Sequence, residues 1–327
     1  MRLLALAQCW RDRGGSVVLA ACELAPAIER RFVAEGVIVE RLSAGSGTDA
    51  DLVETIAAAN AHCASWIALD GYWFDAGYCD GLVEGGLLVL CVDDGGRADH
   101  YNAQLVLNQN LHAQADLYRK VGPSVHLLLG PRYAILRREF CDAALGETDV
   151  PAVATRLLVT LGGADPEGVT IKVINAIDLV RVQGLTASIV VGGANPRLHE
   201  LESACSRSSA KVRICADVED MASRMQDAHL AVTSGGTTVW ELAAMGVPSI
   251  VGAVTELEVT LLRGLRRFDL FEGIGWFRDV SETDLARHIE GLTRDERHRA
   301  SMRDTARSLV DGKGADRVVD EMLSGAA

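Results

Sequence analysis

The chain has 327 residues, 49 % of them hydrophobic and 24 % charged, with a net charge of −13. That length favours two domains and suffices for two cores. The acidic balance speaks against nucleic-acid binding, which needs a basic footprint, and no apolar run is long enough to span a bilayer.

None of the eight cysteines forms a C-x-x-C pair, and no Cys/His group has zinc-ligand spacing. Most sit in apolar runs, so buried reduced thiols and a cytoplasmic location are expected. The opening segment is too short for a signal peptide and runs straight into Trp10-Arg11-Asp12. No metal site and no cofactor are expected, and a monomer is.

Residues 2–13 read as a helix with the stripe Leu3, Leu4, Leu6 and Trp10, ended by Gly14-Gly15. Strands follow at Ser16–Ala21 and Val37–Leu42, separated by a helix from Pro26 to about Glu35. A helix over Asp49–His62 leads to the strand Trp66–Leu69, which ends in Asp70-Gly71-Tyr72. A helix over Phe74–Val83 leads to Leu87–Val92, which ends in Asp93-Asp94. The strand Leu105–Leu107 ends in Asn108-Gln109-Asn110. Repeated β–α alternation predicts a parallel doubly wound sheet. Ligands of such sheets bind beyond the carboxyl ends of the strands, where all three polar clusters stand. Turn formation alone is the competing reading. His100 and His112 lie nearest these clusters, and the surface reading leads for both.

One feature of this half is anomalous. A doubly wound sheet normally begins on its central strand, yet the chain opens on a helix. Either the fold begins unusually, or the first strand lies upstream of Met1.

The mixed stretch Ala143–Ala154 is the expected linker, giving domains of 1–142 and 155–327. The second domain opens on the strand Leu157–Leu161, followed by Gly162-Gly163-Ala164-Asp165-Pro166 and a helix over Gly168–Val180. Strands are expected at Ala187–Val191 and Val212–Cys215, and helices from Arg197 and over Asp217–Asp227. The central stretch is Leu230–Pro248: a buried strand, the turn Ser234-Gly235-Gly236, and a helix opening on Thr237 and Thr238. A helix start presents free N–H groups and a positive dipole end, which suits a phosphate. Glu241 stands one turn in, placed for a nearby hydroxyl, so the pattern points to a nucleotide. The alternative is an ordinary strand–helix joint with a capping box of Thr238 and Glu241. Glu256–Leu265, Ser281–Leu292 and a pair over Asp295–Leu323 complete the helices.

Together, Asp70-Gly71-Tyr72, Leu90–Asp94, Leu107–Asn110, Leu127–Phe140, Val159–Pro166 and Ser234–Pro248 resemble the UDP-diacetamido-trideoxy-altropyranose hydrolase family of pseudaminic acid biosynthesis. That family is related to the glycosyltransferase of lipid II synthesis. The resemblance spans about Met1 to Pro248. It implies a GT-B fold, two Rossmann-like domains facing a cleft, the first lacking its first strand here. It implies hydrolysis of a UDP-sugar to free sugar and UDP, without metal or covalent intermediate. Gly162, Gly163, Gly235, Gly236, Thr237 and Thr238 would hold the pyrophosphate and Glu241 the ribose. Asp94, Asn108 and Asp165 would line the UDP-sugar site, with Tyr72 and Asp70 as catalytic candidates. Two departures stand out. The family's Gly-His pair would fall just before Met1, and its Asn-Gln pair is replaced by Thr255-Glu256-Leu257-Glu258. A glycosyltransferase using a UDP-amino sugar and a catalytically impaired UDP-sugar binder are the alternatives.

Overall fold

Short apolar runs alternating with amphipathic helices give parallel strands joined by crossover helices. The computed structural model covers residues 1–327. It describes all but 119, 145, 147, 148, 163, 164, 166, 194, 266, 267, 326 and 327, and the side chain of 265. The chain divides into two compact units: Met1–Arg138 with Gly312–Ala327, and Glu139–Asp311.

Unit 1 runs α1 (Arg2–Asp12), β1 (Val18–Ala21), α2 (Pro26–Ala34), β2 (Ile38–Arg41), α3 (Asp49–Ala61), β3 (Trp66–Asp70), α4 (Ala76–Glu84), β4 (Leu88–Val92), β5 (Leu105–Asn108) and β6 (His126–Leu129). Its strands form two sheets, β1-β2 and β3-β4-β5-β6, parallel throughout. Leu90, Val92, Leu105 and Leu107 on one face meet Ala5 and Leu6 of α1. Tyr78, Leu82, Val89 and Val106 form the core on the other face. Both faces are covered, so β4 and β5 read as continuous apolar runs.

The helix α5 (Arg138–Ala144) leads into unit 2. There β7 (Arg156–Thr160), α6 (Val169–Leu179), β8 (Thr186–Val191), α7 (Leu198–Arg207), β9 (Lys211–Ala216), α8 (Met221–Gln226), β10 (Leu230–Ser234), α9 (Thr238–Met245), β11 (Ser249–Ala253), α10 (Glu256–Leu265), β12 (Glu272–Trp276), α11 (Glu282–Arg294) and α12 (Glu296–Leu309) follow. The six strands lie in the order β12-β11-β10-β7-β8-β9. The direction of winding reverses between β7 and β10, which makes that point the natural ligand crevice of the sheet. Val159, Val173, Ile177, Ile189, Val232 and Ile250 are at the centre of its core.

The last helix, α13 (Gly314–Ser324), departs from the expected domain 155–327, because it packs in unit 1. Its buried stripe of Ala315, Val318, Val319 and Met322 closes the core under α1. A Cβ on Gly314 would stand 2.2 Å from the Ala134 carbonyl oxygen, so only glycine permits this approach. Two strands escaped the sequence reading. β6 is only four residues long, and β12 contains Gly273 and Gly275, which hide its periodicity. The expected helix from Asp217 starts later, at Met221, because Asp217 is left-handed at φ 51° and Asp220 caps the helix through Ser223 N. Of the eight thiols only Cys79 and Cys91 are buried, and Cys63 is exposed. Among the described residues, no helix is long and apolar enough to cross a membrane.

Arg299 is fully buried, and its role is structural. It donates to the carbonyl oxygens of Leu292 (2.6 Å) and Thr293 (2.7 Å) at the end of α11, and to that of Pro151. These are the carbonyls a helix terminus leaves unpaired. Replacing Arg299 by alanine should cost about 3 kcal/mol of unit 2 stability, since the carbonyls of Leu292 and Pro151 lose this donor while that of Thr293 keeps only Ala154 N. Urea unfolding followed on unit 2 checks this, with Arg299→Lys recovering part of the loss.

Candidate functional site

In unit 2 the candidate nucleotide site is built at the carboxyl ends of β7, β10 and β11. Thr233 pairs with Thr160 across β10 and β7, and its hydroxyl donates to the Thr160 carbonyl at 2.8 Å. Ser234 pairs with Gly252 of β11. The three following turns therefore emerge side by side. The middle one passes from buried Ser234 and Gly235 through half-buried Gly236 to exposed Thr237.

Thr237 is the N-cap of α9 and makes no capping bond through its side chain. The alternative reading, a capping box of Thr238 and Glu241, puts the cap one residue later than the structure does. Val239 N and Trp240 N donate to the carbonyl oxygens of Gly236 and Thr237 at 3.2 and 3.1 Å, so the amides left for an anion are those just before them, of Gly236, Thr237 and Thr238. Glu241 is half-buried in that same turn. Neither Gly235 nor Gly236 has positive φ. Gly235 is needed for space: a Cβ there would stand 2.9 Å from Glu258 Cβ. At Gly236 the nearest atom to a Cβ would be Glu258 Oε1, at 3.9 Å, so the backbone is open to a ligand.

The turn after β7 behaves differently from expectation. Asp165, buried and at φ 39°, accepts from Val169 N and Thr170 N, both at 2.9 Å. The amides at the start of α6, expected to face a phosphate, are held by the chain's own carboxylate. Asp165 is therefore spent on capping, as a buried carboxylate beside free amides must be. Gly162 is exposed at φ 84° with open space around it. Gly163 lies outside the described residues. Arg197, which the sequence reading passed over, lies against Gly168, where a Cβ would come 1.5 Å from its Nη1. A cation thus stands beside the turn.

Glu258 was also missed. Its carboxylate accepts from Val254 N (2.6 Å) and Thr255 N (3.1 Å), while Glu258 N donates to Thr255 Oγ1 at 3.3 Å. This reciprocal pair is a capping box, and the T-x-x-E spacing of Thr255 and Glu258 was its available signal. Burial pushes the Glu258 carboxyl above its ordinary value, against hydrogen bonds from Val254, Thr255 and Ser234 that pull it down. Glu258 thus places a buried acid beside the Gly235-Gly236 turn.

In unit 1 the polar strand ends converge on Arg2. Its guanidinium donates to both oxygens of Asp70 (2.6 and 3.1 Å) and both of Asp94 (2.8 and 2.7 Å). Burial opposes the charge of Arg2, and the two carboxylates more than offset it, so its pKa is raised. Asn110 donates to Asp94 and to Asn108, at 2.8 and 2.9 Å. Asn108 is completely buried, its amide donating to Tyr118 Oη at 2.9 Å. It was expected at the substrate; instead its polar atoms are engaged inside the fold, locking the loop after β5. His112 Nε2 faces the Asp94 carbonyl oxygen at 2.9 Å, and His100 pairs with Asp80.

Tyr72 is 63 % exposed, with the Arg97 guanidinium 4.8 Å above its ring. Partial burial and then the Asp94 charge push its phenol up. Tyr72 and Arg97 line a pocket of about 360 Å³ with Asp75 and His100.

Residues 173–254 match the glycosyltransferase family 28 C-terminal domain. The spore coat polysaccharide biosynthesis protein SpsG of Bacillus subtilis is 25 % identical over 232 residues, covering 71 % of this chain and 67 % of that protein. The uncharacterized protein MJ1062 of Methanocaldococcus jannaschii is 30 % identical over 133 residues, which is 39 % of this chain and 27 % of MJ1062. This chain thus spans about a quarter of the archaeal protein's length. The solved structure of S. aureus MnaA with UDP superposes on 99 % of this chain and 93 % of its own, at 11 % identity and a TM-score of 0.69. The chain has the GT-B fold.

Two outcomes follow from the geometry. Arg2→Ala leaves two largely buried carboxylates facing each other and should cost about 3 kcal/mol of unit 1 stability. Thermal unfolding of Arg2→Ala against Arg2→Ala with Asp70→Asn and Asp94→Asn checks this, the triple variant recovering most of the loss. For Glu258 the sign runs the other way from an ion-paired acid. A raised folded pKa contributes stability below the ordinary carboxyl range, lost as pH rises through the raised value. The melting temperature of Glu258→Gln should therefore gain on that of the parent between pH 4 and pH 8.

Proposed function

We propose that the chain is an enzyme acting on a UDP-linked sugar, hydrolysing it to free sugar and UDP. The observation that carries this is the uncapped start of α9 beside the open backbone of Gly236. Departure of UDP from the sugar places negative charge on the diphosphate. Preorganised amide donors stabilise that charge without reorganising during the reaction. In this reading the amides of Gly236, Thr237 and Thr238 hold the diphosphate, and Gly235, whose own amide pairs with Gly252, gives the turn its room. Glu241 accepts hydrogen bonds from the ribose hydroxyls. Gly162 and Gly163 extend the same site, and Arg197 adds a cation to it. Support comes from the match to a glycosyltransferase C-terminal domain and from the UDP in the S. aureus relative of the same fold.

In unit 1 we assign Tyr72 as a hydrogen-bond donor to the sugar or to the attacking water. Asp70 and Asp94 are held by Arg2, and their role is to keep that cation fixed. The specific substrate we propose is a UDP-diacetamido-trideoxy-hexose on the route to a nonulosonic acid such as pseudaminic acid. The chain then works as a monomer in the cytoplasm.

The family 28 match favours a second reading, transfer of the same sugar to an acceptor. Incubation with a panel of UDP-amino sugars, followed by proton NMR of the anomeric signal, separates the two. A hydrolase releases UDP from donor alone, whereas a transferase releases it only with an acceptor. Calorimetry that detects no UDP binding at millimolar concentration sinks both.

Gly236→Val offers a cleaner probe of the site than any alanine substitution. The position has ordinary φ and open space, so the variant should melt within about 2 °C of the parent. Its side chain enters the space assigned to the diphosphate, so UDP affinity should fall at least about tenfold, or about 1.4 kcal/mol.

A further inference from the structure

The two buried thiols of the chain meet inside unit 1. Cys79 stands in the first turn of α4 and Cys91 near the end of β4, and their sulfurs lie 3.1 Å apart. α4 runs through Gly85-Gly86 straight into β4 and packs on it, so helix and strand point in opposite directions. A residue at the start of the helix therefore lies over the end of the strand. Cys91 is fixed in register between Leu69 of β3 and Val106 of β5. Both cysteines belong to the core formed with Tyr78, Leu82 and Val89. They are 12 positions apart in sequence, a spacing that matches no dithiol motif, and the crossover alone brings them together.

The pair is unequal. With Cys91 as donor, the thiol–thiol hydrogen bond holds Cys79 below the ordinary thiol value, against burial and the charges of Asp80, Asp75 and Asp93. The same bond, and then burial, push Cys91 well above that value. Cys79 is therefore the sulfur that ionises first, and the thiolate is the nucleophile. A metal is a poor fit. Thiolates about 2.3 Å from a tetrahedral ion stand about 3.8 Å apart, wider than this pair. Among the described residues, no group of three His, Cys, Asp or Glu side chains could hold an ion. A covalent link fits better: a disulfide bond of about 2.05 Å needs a movement of about 1 Å shared between two side chains.

We propose that Cys79 and Cys91 are a modification site, a dithiol that a hydroperoxide oxidises to an intramolecular disulfide joining α4 to β4. The Cys79 thiolate attacks one peroxide oxygen, the O–O bond breaks, and hydroxide leaves. Cys79 is then a sulfenic acid with Cys91 already in contact, the arrangement of a reactive and a resolving cysteine. The Cys91 sulfur attacks the Cys79 sulfur, the S–O bond breaks, and a second hydroxide leaves. The two thiol protons turn both hydroxides into water, so hydrogen peroxide is reduced by the two electrons the sulfurs give up. Burial selects a small neutral oxidant over a bulky disulfide. The link bears on a cavity of the same unit, because Asp75 and Gly77 of α4 line the pocket of Tyr72 and Arg97. Asp80, next to Cys79, also pairs with His100 on that pocket. Oxidation thus fixes one wall of it. The site stands on the thiol geometry and does not depend on the function proposed above.

Peptide mapping tests it. The folded 327-residue chain is treated with hydrogen peroxide, quenched, alkylated in urea, and cut after glutamate, which separates the two cysteines at Glu84. The expected product is a pair of peptides joined through Cys79 and Cys91, released by dithiothreitol, with fragmentation placing the bond at Cys79 and not at Cys63. The oxidised chain should melt at least about 4 °C above the reduced one, because the link closes a loop of the unfolded chain. In Cys91→Ala, Cys79 should stop at a sulfenic acid that dimedone traps. In Cys79→Ala, oxidation of Cys91 should slow by about tenfold or more, since the thiolate-forming partner is gone. The proposal is overturned if both cysteines of the parent chain still alkylate once exposed Cys63 has been oxidised. A bond running from Cys63, or a link that forms only in urea, overturns it equally.

Discussion

A parallel strand is stable when both its edges are paired and both its faces are covered, and this requirement organises each unit. In unit 2 it is met at the centre. β7 and β10 lie between other strands, with the apolar faces of α6 and α11 contributing to the core on one side. The winding reverses between these two strands, so their carboxyl ends open into one crevice. Unit 1 instead has two sheets, β1-β2 and β3-β4-β5-β6, and α1 packs against both.

The second organising constraint is the disposal of charge at the strand ends. Carboxylates there are costly unless amides or a cation hold them. The chain uses both solutions. Asp165 takes the amides of α6, and Glu258 takes those after β11. Asp70 and Asp94 share Arg2. Beside them, the start of α9 has no side-chain cap from Thr237 and adjoins the open backbone of Gly236. The proposed diphosphate site is thus defined partly by what its neighbours have already consumed.

The family resemblance and the comparisons agree at the level of fold and of a glycosyltransferase-like second unit. Hydrolysis, the particular hexose and the roles of single residues belong to the proposal. A feature of this chain's own is the acid at Glu258 beside the glycine turn.

Composition and periodicity by themselves determined the parallel α/β alternation, the polar strand ends and the glycine turn before α9. These are local properties, written in runs of four to six apolar residues and the turns that stop them. Other features were decided only by tertiary structure. That Asp165 caps α6 depends on the left-handed turn that swings its carboxylate back. That Asn108 is buried depends on Tyr118 coming to meet it from outside the strand. That α13 belongs with unit 1 depends on the space at Gly314 against Ala134, a contact between segments far apart in the chain. Sequence spacing reports which groups stand at the end of an element. Which of them remain free for a ligand depends on partners that only folding brings near.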